Sequence, residues 1–405
     1  MSRIRTALLC TATLIAATLQ ATGAAAAPAP GTGREPPPEP CVSSPGPARG
    51  EARQVLDIAR QAQKDLGVKA VVLRVTRDGQ EVVTGALGES MTGVPATADM
   101  HFRSGSVAIA YMGDVLLQLV DEHRVGLDDP VSRWLPDLPH GDEITLRMLA
   151  ASTSGLHDYV TDPKFLAALE AAPFRQWTPK ELVGYPLAHP LRYEPGTNWS
   201  YSHANFVLLG AALEKITGIR LDRLLQQRIM SPLGLSETRN SYTPEIGIPV
   251  LHAFTSERST YEESTFWNPS WTTAPGAVEN TNVCDLARSA VAIGSGELLS
   301  PAGYRVSLDP GTVGLGKPTA QCPAAVCRPM TPEVHFGLGL IVQNGWILQN
   351  PSFSGYASIQ AYLPSDHLAI AVSTTLGPEG AQGNTAQTIA YRIADALSPG
   401  HPIQK

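Results

Sequence analysis

The sequence predicts an α+β fold, in which an antiparallel sheet built from both chain ends carries an inserted helical subdomain. Strand-like segments occur near the start of the chain, at residues 68–85, and near its end, at residues 335–374. The stretch between them is mostly helical and loop-rich over about residues 110–245, and a helix closes the chain at residues 384–397. Strands at both ends that share one core predict a single discontinuous domain in two parts.

The individual elements follow from hydrophobic periodicity and turn residues. A helix at residues 51–67 leads into a hairpin, with strands at 68–75 and 81–85 around a turn at Asp78 and Gly79. Three helices follow, at residues 106–124, 205–217 and 221–230. Gly218 ends the second helix, and the third ends before Pro232. Four strands precede the final helix, the last two joined by a turn at 364–366, at residues 335–342, 345–349, 357–363 and 368–374.

The N-terminus has the pattern of a secretory signal peptide, assigned to residues 1–26. Arg3 and Arg5 precede an apolar stretch over residues 7–19, which small residues follow. Because this stretch is shorter than the ~20 residues of a membrane-spanning helix, cleavage is predicted, with an uncleaved anchor as the alternative. The mature protein is then secreted or held in the cell envelope, without an integral membrane segment.

The remaining chain divides where its composition changes. Residues 27–50 are rich in Pro, Gly and Ala and form a predicted linker or ordered tail. Residues 51–397 are expected to form one domain, and residues 398–405 a C-terminal tail.

Composition and charge restrict the partners. The 405 residues include 30 Lys and Arg against 37 Asp and Glu, a net charge of −7. Hydrophobic residues make up 43% and charged residues 17%, which is ordinary for a globular protein. Because the sequence has no cluster of Lys or Arg, a nucleic-acid partner is not expected. Nothing in the sequence indicates an oligomeric state.

The cysteines predict two disulfides. Cys10 leaves with the signal peptide, and the other four, an even number, lie in an oxidising compartment. Of three possible pairings we favour Cys322–Cys327, a local loop, with Cys41–Cys284; the alternative is unpaired or partly paired thiols. No C-x-x-C pair or H-E-x-x-H helix is present, so no metal site is expected.

Short motifs spread over residues 51–397 point to a known family. They occur, in this order, at residues 102–106, 117–122, 127–131, 153–156, 195–202, 207–210, 232–235 and 265–271. Together they resemble serine β-lactamases of class C and the related DD-peptidases and esterases. The resemblance implies a sheet with a helical subdomain, an active site in the cleft between them, and acyl transfer through a serine ester. It implies no cofactor.

The first active-site motif of that family, Ser-x-x-Lys, is altered. Here it runs from Ser106 to Ile109, one helical turn apart on the same face. The family's lysine helps to deprotonate the serine, which Ile109 cannot do, and an apolar floor disfavours an anionic nucleophile. Ser106 keeps the nucleophile position, and its backbone N–H could serve an oxyanion hole. The alternative is that Ser106 only caps a helix.

The second motif, Tyr-x-Asn, keeps its tyrosine as Tyr201 and replaces the asparagine by His203. Without a neighbouring cation the pKa of the tyrosine is expected to stay near ~10, too high for an efficient base. An unperturbed histidine titrates near ~6.5 and suits that role. His203 could therefore pair with Ser106, or else bond a loop carbonyl. Spacing identifies no acidic third member, and Asp158 is named only as a guess.

The third motif, His/Lys-x-Gly, falls on Gln349, Asn350 and Pro351 and loses both its cation and its glycine. These residues and Ile109 are the expected substrate-cleft positions. Pro351 lacks an N–H and is bulkier than glycine. Ser352 follows and keeps the backbone N–H that, in the family, is the second oxyanion donor.

Two main hypotheses follow. The first is a serine acyl-transfer enzyme (hydrolase, esterase or acyltransferase) with Ser106 as nucleophile and His203 or Tyr201 as base. Its substrate would be a small-molecule or peptide-like ester or amide. The second is an inactive family member that binds a peptide, cell-wall fragment or partner in the cleft. An unrelated chemistry in the same cleft is a third alternative, and true β-lactamase or DD-carboxypeptidase activity is not expected.

Overall fold

The structure is a computed structural model, and it describes residues 40–381 and 383–403. The predicted signal peptide and most of the predicted tail lie outside the described residues. Strands are numbered in chain order: β1 Val68–Arg77, β2 Gln80–Met91, β3 Val94–Pro95, β4 Phe102–Gly105, β5 Arg239–Ser241, β6 Phe254–Thr255, β7 Glu262–Glu263, β8 Val278–Thr281, β9 Val334–Phe336, β10 Ile341–Gln343, β11 Trp346–Gln349, β12 Ser352–Phe353, β13 Tyr356–Leu363 and β14 Leu368–Leu376.

The α-helices are numbered in the same way: α1 Gly50–Asp65, α2 Val107–Asp121, α3 Leu146–Ala150, α4 Pro163–Ala171, α5 Pro179–Leu187, α6 His203–Thr217, α7 Leu221–Leu225, α8 Ser231–Leu233, α9 Val283–Ser295, α10 Pro301–Leu308 and α11 Thr385–Leu397. Short 3₁₀ turns occur at Val131–Arg133, Tyr159–Thr161 and Pro364–Asp366. None of these described helices is long and apolar enough to cross a membrane.

The main sheet joins the two ends of the chain, as predicted. Its order is β3-β2-β1-β14-β13-β11-β10-β9, with β12 added beside β13, and neighbouring strands are antiparallel. β1 pairs with β14 along its length, so the first and last strands lie side by side. A smaller sheet of order β4-β8-β5 carries the start of the helical part, because α2 begins directly after β4.

The sheet is covered on both faces, which places the core. On one face α1 and α11 bury small and branched side chains, including Val55, Ala59, Ile389 and Ile393, against the strands. On the other face α9 packs against β13 and β14. The larger hydrophobic cluster surrounds α2 and α6, whose central residues are almost all buried. Because α2 is buried in this cluster, its first turn is fixed in position relative to the sheet.

The predicted hairpin is confirmed, and two other boundaries are corrected. Asp78 and Gly79 have φ of 51° and 73°, the left-handed pair that a two-residue hairpin turn needs. The strand predicted at 335–342 is two strands, β9 and β10, because Gly337 closes a turn onto Leu340. The helix predicted to end before Pro232 continues through a π turn into α8, where the proline lies in the first turn and its missing N–H is tolerated.

Both favoured disulfides are present. Cys41 and Cys284 join residues 243 positions apart, and Cys322 and Cys327 join residues 5 apart. The first ties the N-terminal segment to the start of α9, and the second closes a loop that borders the cavity described below.

We expect the Cys41→Ser/Cys284→Ser variant to lose more stability than the Cys322→Ser/Cys327→Ser variant. Chain entropy predicts losses of about 5 and about 2 kcal/mol, because the first bond closes a far longer loop in the unfolded chain. Urea unfolding of both variants and of the oxidised parent measures the difference. An equal or larger loss in the second variant would contradict this expectation.

Candidate active site

Ser106 stands at the junction between β4 and α2, where the family resemblance places a nucleophile. Its backbone is helical, with φ −67°, and its side chain makes no capping hydrogen bond to the helix. The Ser106 hydroxyl instead interacts with the Tyr201 phenol, in the cavity that both residues line. The helix-capping alternative is therefore not what the structure shows.

Ile109 does not line the cavity, which corrects its prediction as a substrate-cleft residue. It is fully buried and absent from the cavity wall. A Cβ added at Gly339 would lie 2.4 Å from the Ile109 carbonyl oxygen and 3.0 Å from its Cγ2, so the two residues pack closely. An apolar side chain at this position joins the core. The position of the family's lysine is therefore filled by a buried core residue.

Tyr201 is held as a neutral phenol. Desolvation of the phenol, and secondarily the charge of Asp158, raise its pKa well above the usual value, and the interaction with Ser106 only partly counters this. The expectation that this pKa stays near that of free tyrosine is wrong in direction, because desolvation of the phenol adds to the absence of a cation. Tyr201 can donate and accept a hydrogen bond beside Ser106, but it is a poor base.

His203 is held by a carboxylate. It opens α6, and its Nδ1 lies 3.0 Å from Asp158 Oδ1 and 3.1 Å from Oδ2. Its backbone N–H donates to the same Oδ1 at 3.1 Å. Because a carboxylate accepts, Nδ1 carries the proton and Nε2 is left free to accept one. Asp158, the residue that sequence spacing could not establish, is thus the acidic partner of His203.

Tyr201 is a neighbour of both Ser106 and His203. Its ring meets the His203 ring edge-on, with centroids 5.0 Å apart, and its hydroxyl interacts with Ser106. In the described part of the chain no hydrogen bond joins His203 directly to Ser106. The structure therefore does not show a direct Ser–His contact, although Ser106, Tyr201, His203 and Asp158 all line the same cavity.

The third motif lies beside the residues that lead into Ser106. A Cβ added at Gly105 would lie 3.8 Å from Pro351 Cβ, which brings that strand beside the residue before Ser106. Gln349 and Asn350 also line the cavity, as predicted. The Gln349 amide is 4% exposed and donates to the Gly339 carbonyl, the same glycine that packs on Ile109. Gly339 thus contacts both Ile109 and Gln349, which are uncharged residues at the two positions where the family has cations.

The backbone N–H of Ser352 takes no part in the ladder between β12 and β13. β11 and β12 share one register with β13, since Gln349 faces Gln360 and Ser352 faces Ala357. Ser358 donates to the Pro351 carbonyl at 2.9 Å, so position 351 is a hydrogen-bonding position of the ladder. Ladder bonds alternate along an antiparallel pair, and Ser352 therefore points its N–H away from β13, toward the open edge at the cavity.

The cavity is large and mainly apolar. Its volume is about 930 Å³. Its wall includes aromatic and aliphatic side chains, among them Leu166, Leu169, Trp199, Trp267, Trp271 and Phe336. Trp267 is buried and Trp271 is half-buried, and both contribute to this wall. Arg192, Arg258 and Arg328 also border it, and sequence reasoning did not single them out. Among described residues no group of three or more side chains could hold a metal ion.

A buried carboxyl lies behind the nucleophile strand. Glu279 on β8 faces Gly105 in the ladder and is fully buried, and burial raises its pKa to about 8. Burial raises the pKa of Asp114 in α2 to about 8 as well. Both groups are therefore protonated in the folded protein at neutral pH, and the unfolded chain, with ordinary carboxyl pKa values, releases these protons at lower pH.

Between the carboxyl pKa of the unfolded chain and the raised pKa of the folded protein, the folded state binds more protons, so rising pH favours unfolding. We expect stability to fall as pH rises from about 4.5 through about 8. Glu279→Gln should flatten this fall, whereas Glu245→Gln, at an exposed carboxyl, should leave it unchanged. Thermal unfolding between about pH 5 and 9 measures the slope, and a Glu279→Gln profile parallel to the parent's would refute the assignment.

Most of the chain is similar to known proteins. The Beta-lactamase family model matches residues 55–393. Esterase EstB of Burkholderia gladioli is 30% identical over 196 residues, which cover 45% of this chain and 49% of the esterase. A protein of Salmonella heidelberg described as a D-alanyl-D-alanine carboxypeptidase is 26% identical over 335 residues, 75% of this chain and 74% of that protein.

Solved structures agree with the fold. A D-stereospecific amidohydrolase from Streptomyces sp. superposes with a TM-score of 0.71 at 26% identity, covering 87% of this chain and 99% of the other. A penicillin-binding protein from Bacillus halodurans gives a TM-score of 0.67 at 16% identity, covering 84% and 99%. At that lower identity the likeness concerns the fold alone.

Proposed function

The chain belongs to the Beta-lactamase family, and from this premise we propose that it is a serine acyl-transfer hydrolase whose base is His203. The observation that carries the proposal is the bond from His203 Nδ1 to Asp158, 3.0 Å long, which leaves Nε2 as the acceptor. A histidine oriented by a carboxylate near a serine is a recurrent means of activating a nucleophile. It would replace the family's lysine, whose position holds Ile109.

The proposed reaction has two steps. Ser106 Oγ attacks the substrate carbonyl carbon, and its proton reaches His203 Nε2 through the Tyr201 hydroxyl, which accepts one proton and releases its own. The bond to the leaving group breaks, and the leaving group takes the proton from His203. Water then attacks the acyl-serine, gives its proton back along the same path, and releases the acid and free Ser106. The N–H groups of Ser106 and Ser352 would hold the oxyanion in both steps.

The substrate would be a small-molecule or peptide-like ester or amide with an apolar acyl group. Leu166, Trp267 and Trp271 line the cavity with apolar surface that favours such a group. The motif cation that would aid recognition of a substrate carboxylate is absent, and the amide of Gln349 is already bonded to Gly339. The third motif therefore offers no cation to the carboxylate of a β-lactam or a D-alanyl-D-alanine substrate. The pattern of the first 26 residues and the two disulfides support a place outside the cytoplasm.

The test is to trap the acyl-enzyme. The purified chain is mixed with p-nitrophenyl esters of increasing acyl length. Acid-quenched samples are then digested, and the peptides are analysed by mass spectrometry. We expect the acyl mass on the peptide that contains Ser106, together with release of p-nitrophenolate. Neither adduct nor release, across the whole ester series, would overturn the proposal.

A second candidate, a non-catalytic binding protein, is favoured by one observation: Ile109 fills the lysine position while the pKa of Tyr201 is raised. This candidate expects an apolar ester analogue to bind in the cavity without forming an adduct on Ser106. Calorimetry with a non-hydrolysable ketone analogue, run beside the trapping experiment, separates the two. Binding together with an adduct supports the hydrolase, and binding without one supports the second candidate.

A further inference from the structure

The strand that carries the proposed oxyanion donor has a gap in its hydrogen bonding. Pro351 and Ser358 face each other at a position where an antiparallel pair exchanges two hydrogen bonds. Ser358 donates its N–H to the Pro351 carbonyl at 2.9 Å. Pro351 has no N–H to return, so the Ser358 carbonyl receives no ladder bond from the opposite strand. The gap immediately precedes Ser352.

The side chain of Asn384 fills this gap. Its Nδ2 lies 3.1 Å from the Ser358 carbonyl oxygen that the proline cannot serve. The same nitrogen lies 2.9 Å from the Pro351 carbonyl oxygen and 2.8 Å from that of Asn350. One amide group thus donates to both sides of the gap and binds the two residues that lead into Ser352.

Asn384 is itself attached to the start of α11. Its Oδ1 accepts the backbone N–H of Gln387 at 2.8 Å, which makes it the N-cap of α11. A second contact runs parallel to the first, because the Asn350 side chain donates to the Gln387 side chain. Gln387 in turn donates to the Tyr391 hydroxyl at 2.7 Å. The helix α11 packs against β13 and β14, so these contacts attach the strand segment to a buried element.

We propose that Asn384 is a positioning residue, which fixes the Ser352 N–H at the geometry that the oxyanion requires. The inference rests on the proposed function and extends it to a residue outside the three motifs. Capping alone does not explain the contacts, since a cap needs only the side-chain oxygen. The amide nitrogen is the part that reaches the strand. A donor aimed in advance at the oxyanion is worth far more than one that must be reorganised.

The variant Asn384→Ser tests this, because serine is also a favoured N-cap but is too short to reach the three carbonyls. We expect kcat for a p-nitrophenyl ester to fall by about 10- to 100-fold with KM little changed, since the interaction acts in the transition state. Hydrogen exchange of the amides of residues 350–358 should become faster. Asn282→Ser, the same substitution at the N-cap of α9, is the matched control and should change neither.

Rescue provides the decisive arm. Pro351→Ala returns an N–H to the gap while keeping the Cβ that faces Gly105. The double variant Asn384→Ser/Pro351→Ala should recover most of the lost kcat and the slow exchange. Unchanged kcat and exchange in Asn384→Ser, or changes that Pro351→Ala does not reverse, would overturn the inference. If the parent lacks Ser106-dependent turnover, the proposed function fails separately, and the exchange measurements alone decide whether Asn384 holds the strand.

Discussion

Ester hydrolysis by the Ser106→Ala variant is expected to be at least about 10³-fold slower than by the parent, because alanine removes the only nucleophile in the proposed mechanism. The substitution should not disturb the fold, since the Ser106 hydroxyl makes no capping bond to α2. Initial rates of p-nitrophenolate release, with protein concentration matched by absorbance, measure the effect.

Ser365→Ala is the matched control for this loss. Ser365 is exposed in the turn between β13 and β14 and does not line the cavity. Its rate should stay within about threefold of the parent's, as expected for removal of a side chain outside the reaction. A Ser106→Ala rate equal to that of Ser365→Ala would mean that the observed turnover does not depend on Ser106.

The variant His203→Asn has the second largest expected effect. It restores the asparagine of the family motif but removes the proposed base, and loss of a general base typically costs about 10²–10⁴-fold in rate. If Tyr201 were instead the base, the restored motif would leave the rate unchanged or raise it. Steady-state turnover of one ester by the parent and by His203→Asn distinguishes these outcomes.

Asp158→Asn shows whether the two residues act as one unit. An amide at this position cannot hold a cationic imidazole as the carboxylate does, so a loss of at least about tenfold is expected. Turnover by the double variant Asp158→Asn/His203→Asn should be hardly slower than turnover by His203→Asn alone, because Asp158 acts through His203. Additive losses would indicate two independent roles and would contradict the pairing. His157→Asn, a nearby histidine outside the cavity wall, serves as the control.

Local sequence signals predicted the fold well because they agreed with the global topology. The turn at Asp78 and Gly79, the helix stop at Gly218 and the strands at both ends all appear where periodicity placed them. The errors fell where close packing and hydrogen bonding decide. The break between β9 and β10 depends on Gly337, whose turn is closed by a bond onto Leu340 that no pattern within the strand announces.

The candidate site was predictable only in part. Ser106, Tyr201, His203 and the third motif could be located by resemblance, and the structure brings them to one cavity. Asp158 could not, because its partner lies 45 residues further along the chain. Ile109 was misplaced because spacing gives the face of a helix but not which side of that face is core. No sequence pattern pointed to Asn384, because its role depends on the hydrogen bond that Pro351, far away in the sequence, cannot make.

The most direct test of the account is the rate at which a fluorophosphonate labels Ser106. Intact-mass spectra taken over time give this rate for the parent, for His203→Asn and for Asp158→Asn, with peptide mapping to locate the adduct. We expect one adduct, on Ser106, which forms at least about 10²-fold faster in the parent than in His203→Asn. Labelling of Ser106 at equal rates in the parent and His203→Asn, or no labelling of the parent over hours, would contradict it.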